Sequence, residues 1–198
     1  GHVLAFYDMV PVLSWLFLKG RCRYCRAPVS IQYPAVELLT TSAFLLCLLA
    51  KGPGMESALM CMFSSILITA AFIDARHIYI PDGIHILILI LCCISLAAGS
   101  GPAIINRLGG SLLAGGFLAL VNLLSRGGVG WGDVKLFAAS GLLIGAAPAI
   151  TALLMGYVAA GLWYAVPLVR GRVGRKTQIP MAPFFAVSLM VCGLWFRQ

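Results

Sequence analysis

Residues 136–169 read LFAASGLLIGAAPAITALLMGYVAAGLWYAVPLV, a run of 34 residues without one charged side chain. A helix needs about 20 predominantly apolar residues to cross a lipid bilayer, so this run can supply two crossings. The break between them rests on Gly145, Ala146, Ala147 and Pro148. We therefore predict membrane-spanning helices over residues 134–146 and 149–169.

The composition of the whole chain extends this interpretation. Of its 198 residues, 61% are hydrophobic and only 10% are charged, which excludes an ordinary soluble domain. We predict an all-α, polytopic membrane helix bundle in which a transmembrane domain, residues 34–198, follows a small cytoplasmic segment, residues 1–33. Gly110 with Ala114, and Gly141 with Gly145, have the small-xxx-small spacing that suits close helix packing. About seven spans are expected, over residues 34–50, 55–73, 83–99, 104–125, 134–146, 149–169 and 180–196.

Basic residues predict the orientation of these spans. The net charge of +8 does not indicate a nucleic-acid partner, and we expect none, because the cytoplasmic loops of membrane proteins carry an excess of Lys and Arg. With residues 1–33 inside and the spans alternating, only Lys51, Arg107 and Arg197 of the 14 basic residues lie outside. This bias supports seven spans and a cytoplasmic N-terminal segment. The inside residues are Lys19, Arg21, Arg23, Arg26, Arg76, Arg126, Lys135, Arg170, Arg172, Arg175 and Lys176.

Asp74 and Asp133 are the candidate catalytic residues. The chain has only four Asp and two Glu, and these two adjoin long apolar runs, where a carboxylate is costly and is a functional candidate by default. Asp74 ends the second predicted span and Asp133 begins the fifth, so both are expected at the inner face. Whether they meet laterally depends on helix packing, which the spacing does not reveal.

A pair of neighbouring carboxylates is suited to hydrolysing a peptide bond. The two cannot both ionise easily, so one stays protonated. The ionised partner activates a water molecule, while the protonated partner polarises the peptide carbonyl and later protonates the leaving amine. Proteolysis by this route needs no cofactor, and the three His residues form no metal-ligand cluster in the sequence.

The residues around Asp133 form a candidate substrate loop. Gly130 and Gly132 permit backbone geometry that a Cβ resists, and they allow close approach of a second backbone such as an extended substrate. Asp133 then stands at a helix start, where the helix dipole favours a negative charge. Lys135 is a plausible electrostatic neighbour of this carboxylate.

Two other interpretations of the acidic residues remain open. Asp133 and Asp82 could be helix N-caps, whereas Asp74 closes a helix, where the dipole disfavours a carboxylate and a cap explains it poorly. A transporter or channel could also use an intramembrane Asp pair to bind a cation or relay protons. That alternative predicts carboxylates nearer the middle of the spans, and these lie at span ends.

The cysteines divide into two groups. Cys22 and Cys25 form a CxxC motif in the basic N-terminal segment, where a reducing cytoplasm favours zinc over a disulfide. One CxxC supplies two of four zinc ligands, so it is a possible half-site. The other five lie in apolar spans and are most simply packing residues: Cys47, Cys61, Cys92, Cys93 and Cys192.

Six motifs in sequence order resemble those of the type IV prepilin peptidases, which are membrane aspartic proteases of the GxGD type. The resemblance covers nearly the whole chain. GxGD alone is weak evidence, but six motifs joined by apolar spans are strong. They are DMVPVLSW at 8–15, GRCRYC at 20–25, IQYPAVEL at 31–38, Asp74 with IPD at 80–82, GWGDVK at 130–135, and IPMAPF at 179–184.

The resemblance implies a function and a location. It implies cleavage of prepilin or pseudopilin leaders after a Gly, at the cytoplasmic face of the bacterial inner membrane, with Asp74 and Asp133 as the catalytic pair. Many family members also methylate the new N-terminus with S-adenosylmethionine, an activity usually linked to the N-terminal cytoplasmic region. A related GxGD protease acting on preflagellins is the alternative.

The start of the chain departs from the family pattern. Family members usually begin with a further span and an earlier CxxC, often followed by Gly-His, whereas this sequence opens on Gly1-His2. The resemblance thus implies eight spans in the full-length protein. It also implies that the partners of Cys22 and Cys25, together with any zinc, and S-adenosylmethionine-dependent methylation belong to that longer protein.

Overall fold

A computed structural model describes residues 6, 10, 12–171 and 179–196. These residues form an all-helical bundle without a strand, apart from one isolated bridge between Arg21 and Pro28. The predicted all-α class is therefore confirmed for these residues. The helices are α1 (Leu13–Phe17), α2 (Gln32–Lys51), α3 (Met55–His77), α4 (Asp82–Ala97), α5 (Ile104–Gly110), a π-helical turn (Ser111–Gly116), α6 (Phe117–Leu124), α7 (Trp131–Ile144), α8 (Ala146–Val169) and α9 (Ala182–Trp195).

Seven apolar helical segments occupy the places predicted for spans, with α5, the π-helical turn and α6 forming one continuous helix. Four are long and apolar enough to cross a membrane: Gln32–Lys51, Met55–His77, Ile104–Leu124 and Ala146–Val169. The helices α4, α7 and α9 have only 14 to 16 residues each. The count of seven spans and the cytoplasmic N-terminus thus stay predictions.

The surface of the bundle carries many large apolar side chains. Phe63, Phe137 and Phe185 are fully buried in the core, while Leu49 and Leu112 each expose more than 70% of their surface. A soluble domain rarely exposes large apolar side chains over a wide contiguous area. Lipid chains can cover such a surface without loss of free energy, which agrees with a membrane-embedded bundle.

Gly110 of α5 and Gly141 of α7 allow two helix backbones to touch. A Cβ built on Gly141 would lie 2.4 Å from the carbonyl carbon of Gly110, and one built on Gly110 would lie 2.5 Å from the carbonyl oxygen of Gly141. No side chain fits in this gap. The predicted small-residue contact is confirmed, and it places α7, which carries Asp133, against the long helix Ile104–Leu124.

Arg107 ties together the helix ends opposite the candidate site. The charge bias assigns it to the outside of the membrane, and the structure buries it, with only 2% of its surface exposed. Its guanidinium donates to the carbonyl oxygens of Pro102 at 2.8 Å, Leu142 at 3.2 Å and Ser100 at 2.5 Å, and to the hydroxyl of Ser95 at 2.8 Å. The last turns of α4 and α7 supply two of these acceptors. The negative ends of two helix dipoles therefore face this charge, which explains how a cation is buried here.

The substitution Arg107→Lys is expected to lower the free energy of unfolding by about 2 kcal/mol. An ammonium group cannot reproduce the planar fork of donors, so buried carbonyls lose their partners. Unfolding of the purified protein in mixed micelles measures this loss. An unfolding free energy equal to that of the parent protein would contradict the structural role given to the guanidinium.

Candidate active site

Asp74 lies in the last turn of α3 and faces the start of α9. Its carboxyl group is buried, with 6% of the residue exposed. The Oδ2 atom accepts a hydrogen bond of 2.9 Å from the backbone N–H of Ala182, and the backbone N–H of Met181 also donates to this carboxyl group. These N–H groups belong to the first turn of α9, where they have no partner within the helix. The motif IPMAPF at 179–184 thus contributes its backbone to the site.

Asp133 is the third residue of α7. The N-cap of this helix is Gly130, and the Asp133 side chain makes no capping hydrogen bond, so the N-cap interpretation is wrong. Its carboxyl group is close enough to Asp74 for the two charges to interact, and Tyr157 of α8 is a second electrostatic neighbour. The structure therefore places the two carboxylates, which the sequence left apart, within electrostatic range of each other.

Buried Asn122 holds the loop that precedes Asp133. With its amide oriented to satisfy both ends, Asn122 donates to the carbonyl oxygen of Val129 at 2.7 Å and accepts from the indole N–H of Trp131 at 3.2 Å. The Ser125 hydroxyl accepts from the N–H of Gly128 at 3.0 Å. Sequence reasoning missed these residues, although an Asn near the end of an apolar span was a usable signal.

The glycines of the GxGD motif matter because they lack a side chain, and not because they adopt unusual backbone angles. Gly130 has φ of −67°, which any residue can adopt. A Cβ on Gly132 would lie 3.3 Å from the Cβ of Ile80, so Gly132 permits close packing against the segment that follows Asp74. A Cβ on Gly130 would meet only the Asp133 carboxyl group, at 3.5 Å. The absence of a side chain at Gly130 therefore leaves space beside this carboxyl group.

Lys135 pairs with Asp82 rather than with Asp133. Its Nζ atom lies 2.7 Å from Asp82 Oδ1, and both side chains are more than half exposed. Asp82 makes no capping hydrogen bond, so its predicted N-cap role is also wrong. The pair joins the first turns of α4 and α7, and buried His85 joins them again by a contact of 3.1 Å between Nε2 and the carbonyl oxygen of Gly132. One end of the bundle thus contains all five residues that the sequence predicted for the site, which are Asp74, Asp133, Gly130, Gly132 and Lys135.

Cys22 and Cys25 lie in a separate turn of the N-terminal segment. The N–H of Cys22 donates to the carbonyl oxygen of Ala27 and the N–H of Arg26 donates to that of Cys22, so the CxxC forms a tight turn. No group of three His, Cys, Asp or Glu residues that could hold a metal occurs in the described part of the chain. The residues present supply half of a zinc site, and no chemistry is derived from it.

The N-terminal segment also contains a cavity of about 330 Å³. Aromatic side chains of Trp15, Tyr24 and Tyr33 line it together with the carboxylate of Glu37. Glu37 belongs to α2 and accepts a hydrogen bond of 2.8 Å from the N–H of Val12, so it fixes this segment to the bundle. Asp8 of the first motif lies outside the described residues.

Comparison with known proteins gives consistent matches. Residues 1–51 match the model of the bacterial peptidase A24 N-terminal domain, and residues 61–165 match that of the type IV leader peptidase family. A prepilin leader peptidase/N-methyltransferase from Aeromonas hydrophila is 32% identical, over 98% of this chain and 69% of the relative. A protein of the same name from Bacillus subtilis is 31% identical, over 95% of this chain and 76% of the relative.

A third relative has a different name. A type 4 prepilin-like proteins leader peptide-processing enzyme from Escherichia coli is 37% identical, over 91% of this chain and 68% of the relative. No solved structure matches the chain.

Proposed function

This chain belongs to the type IV leader peptidase family and is therefore a protease, and from that premise we propose that it cleaves the leaders of type IV prepilins and pseudopilins. The observation that carries the proposal is the pair of carboxylates, Asp74 and Asp133, whose charges interact at one end of an apolar helix bundle. We assign both as catalytic residues, with Gly130, Gly132 and Lys135 beside them at the start of α7.

We place this end of the bundle at the cytoplasmic face of the bacterial inner membrane. Arg76 lies in the last turn of α3 with Asp74, and Lys135 lies two residues after Asp133 in α7. Lys51 and Arg107 lie at the opposite end of the bundle. Arg107 is buried by carbonyl groups, so it adds little positive charge to that opposite surface. This asymmetry supports the orientation, because Lys and Arg accumulate on the cytoplasmic side.

The contacts of the two carboxylates suggest different roles for them. Asp74 accepts backbone hydrogen bonds from α9, as an ionised carboxylate does, whereas the structure gives no hydrogen bond to the Asp133 side chain from any described residue. We therefore assign Asp74 as the base and Asp133 as the acid. Asp74 takes a proton from water, the resulting hydroxide attacks the scissile carbonyl carbon, and Asp133 gives its proton to the carbonyl oxygen.

Collapse of the tetrahedral intermediate completes the reaction. The leaving nitrogen takes its proton from Asp74, and not from the initially protonated carboxyl group as expected from the sequence, because Asp74 now holds the proton that it took from water. The C–N bond breaks, and Asp133 recovers a proton from a hydroxyl of the intermediate as the new carboxyl group forms. Each carboxyl group returns to its starting state. The scissile bond must be extended rather than helical, because helical carbonyls are already hydrogen-bonded, and the space beside Gly130 can admit such a backbone.

A cleavage assay tests this proposal. We expect the protein, reconstituted into vesicles, to cut a prepilin with a basic leader and a Gly-Phe junction, and mass spectrometry should show a product that starts at Phe. The same prepilin with the Gly replaced by Val is the matched substrate control and should remain uncut. Failure to cut the Gly-Phe prepilin, together with cleavage of a preflagellin, would assign the enzyme to the alternative substrate class.

We also propose that the N-terminal segment supports N-methylation of the new N-terminus, because two relatives are named N-methyltransferases. Trp15, Tyr33 and Glu37 of its cavity would hold S-adenosylmethionine, which supplies the methyl group. The same cavity is also lined by the basic residues Arg21 and Arg23. Mature pilin with a free N-terminal Phe, incubated with the protein and S-adenosylmethionine, should gain one methyl group. An unmodified product would contradict this activity in the present chain.

A further inference from the structure

A buried histidine joins the two segments that carry the candidate catalytic residues. His85 lies in the first turn of α4 and is 6% exposed, and its Nε2 atom lies 3.1 Å from the carbonyl oxygen of Gly132. A carbonyl oxygen can only accept, so Nε2 carries a proton and donates it. This carbonyl belongs to the peptide group that joins Gly132 to Asp133. The hydrogen bond therefore acts on the peptide plane from which the Asp133 side chain projects.

The other ring nitrogen shows that the imidazole is not present for packing alone. Nδ1 is buried and makes no hydrogen bond of good geometry within the described part of the chain, although the backbone carbonyl of Asp82, one turn earlier, offers it a weak one. Nδ1 lies 3.6 Å from Asp82 Oδ1, too far for a good hydrogen bond, and Asp82 binds Lys135 instead. A buried nitrogen without a well-placed partner costs free energy, and an apolar side chain would avoid this cost. The bond to Gly132 is therefore the contact that a histidine provides here.

A second contact holds the same peptide group from the segment between α3 and α4. Ile80 is 4% exposed and packs directly against Gly132, where an added Cβ would lie 3.3 Å from the Cβ of Ile80. Ile80 follows Asp74 by six residues and precedes His85 by five. The Gly132–Asp133 peptide is thus fixed on two sides by the stretch of chain that begins at Asp74.

We propose that His85 is a positioning residue that sets the direction in which Asp133 meets Asp74. It touches neither the carboxyl groups nor a substrate bond, and it acts through the carbonyl of Gly132. Its effect on cleavage rests on the proposed function, whereas the contact itself can be tested without cleavage. The exposed pair of Asp82 and Lys135 spans the same two helices but contributes less, because solvent screens an exposed ion pair.

Kinetics of two variants test the effect on cleavage. His85→Leu should lower kcat by about 10²-fold with little change in KM, because displacing a catalytic group by about 1 Å has an effect of this size. His85→Gln can place an amide N–H near the position of Nε2 and should restore most of kcat. His77→Leu, at an exposed histidine of α3, is the matched control and should behave like the parent protein. Unchanged kcat in His85→Leu, or equal losses in His85→Leu and His85→Gln, would overturn the proposal.

Hydrogen exchange tests the contact without reference to proteolysis. In His85→Leu, backbone amides of residues 130–135 should exchange faster, while those of α8 should be unchanged. His85→Gln and His77→Leu should retain the slow exchange of the parent protein. Unchanged exchange at residues 130–135 in His85→Leu would refute the contact between His85 and Gly132. If exchange is faster in His85→Leu but the parent protein cuts no prepilin, the contact is supported and the proposed function is refuted.

Discussion

Asp133→Asn is expected to lower prepilin cleavage by about 10⁴-fold while the protein stays folded, because the amide cannot give a proton to the scissile carbonyl and later recover it. The side chain is nearly isosteric, and the structure gives it no hydrogen bond from any described residue that the change would break. Single-turnover cleavage in vesicles measures the rate, and thermal unfolding in detergent reports the fold.

Asp74→Asn should abolish cleavage to a similar degree and should also be less stable than Asp133→Asn. The Oδ2 atom of Asp74 accepts the N–H of Ala182 at 2.9 Å, and the neutral oxygen of an amide is a weaker acceptor than a carboxylate oxygen. Glu56→Gln is the matched control, because Glu56 lies in the first turn of α3, at the end opposite Asp74. Cleavage near the parent rate by either Asn variant would end the interpretation as an aspartic dyad.

Gly141→Ala is expected to destabilise the bundle by at least about 3 kcal/mol. The new Cβ would lie 2.4 Å from the carbonyl carbon of Gly110, so two helix backbones rather than a flexible side chain would have to move. Because the small residues let α5 and α7 approach closely, dispersion contacts along the whole crossing would weaken with it. Equilibrium unfolding in mixed micelles measures the change.

Gly161→Ala is the matched control for the close helix crossing. It replaces a glycine of α8 whose added Cβ would meet no atom within 4 Å. We expect no loss of stability, and a small gain is consistent with the higher helix propensity of Ala. Equal free energies of unfolding for Gly141→Ala and Gly161→Ala would contradict the close crossing of α5 and α7. Gly110→Ala should repeat the effect of Gly141→Ala from the other side of the contact.

The helices themselves could be predicted from local sequence. Apolar runs such as residues 136–169 mark membrane helices because each span must satisfy its own backbone hydrogen bonds over a fixed hydrocarbon thickness. Asp74 and Asp133 were found because a carboxylate beside an apolar run is costly. The spacings of Gly110 with Ala114 and of Gly141 with Gly145 predicted close helix packing at these positions, and the structure shows that Gly110 and Gly141 contact each other.

The contacts that hold the site could not be predicted in the same way. Asp82 was expected to cap α4 from its position after Pro81, but the cap depends on local geometry and the carboxylate binds Lys135, 53 residues away. Arg107 was assigned only to a side of the membrane, because a sequence shows which segment contains a residue and not what surrounds its side chain. Its burial depends on a hydroxyl group from α4 and on carbonyl groups from α7 and from the connection between α4 and α5, which approach it only in the assembled bundle.

The sequence alone thus determined that the chain is all-helical and apolar, with seven helical segments and two candidate catalytic carboxylates. These properties depend on composition and on the spacing of residues along a single helix. Tertiary structure alone decided that Asp74 lies against the N–H groups of α9, that its charge interacts with that of Asp133, and that His85 holds the carbonyl of Gly132. The reason is physical: lateral packing between helices depends on the fit of distant surfaces, and spacing along the chain does not record which surfaces meet.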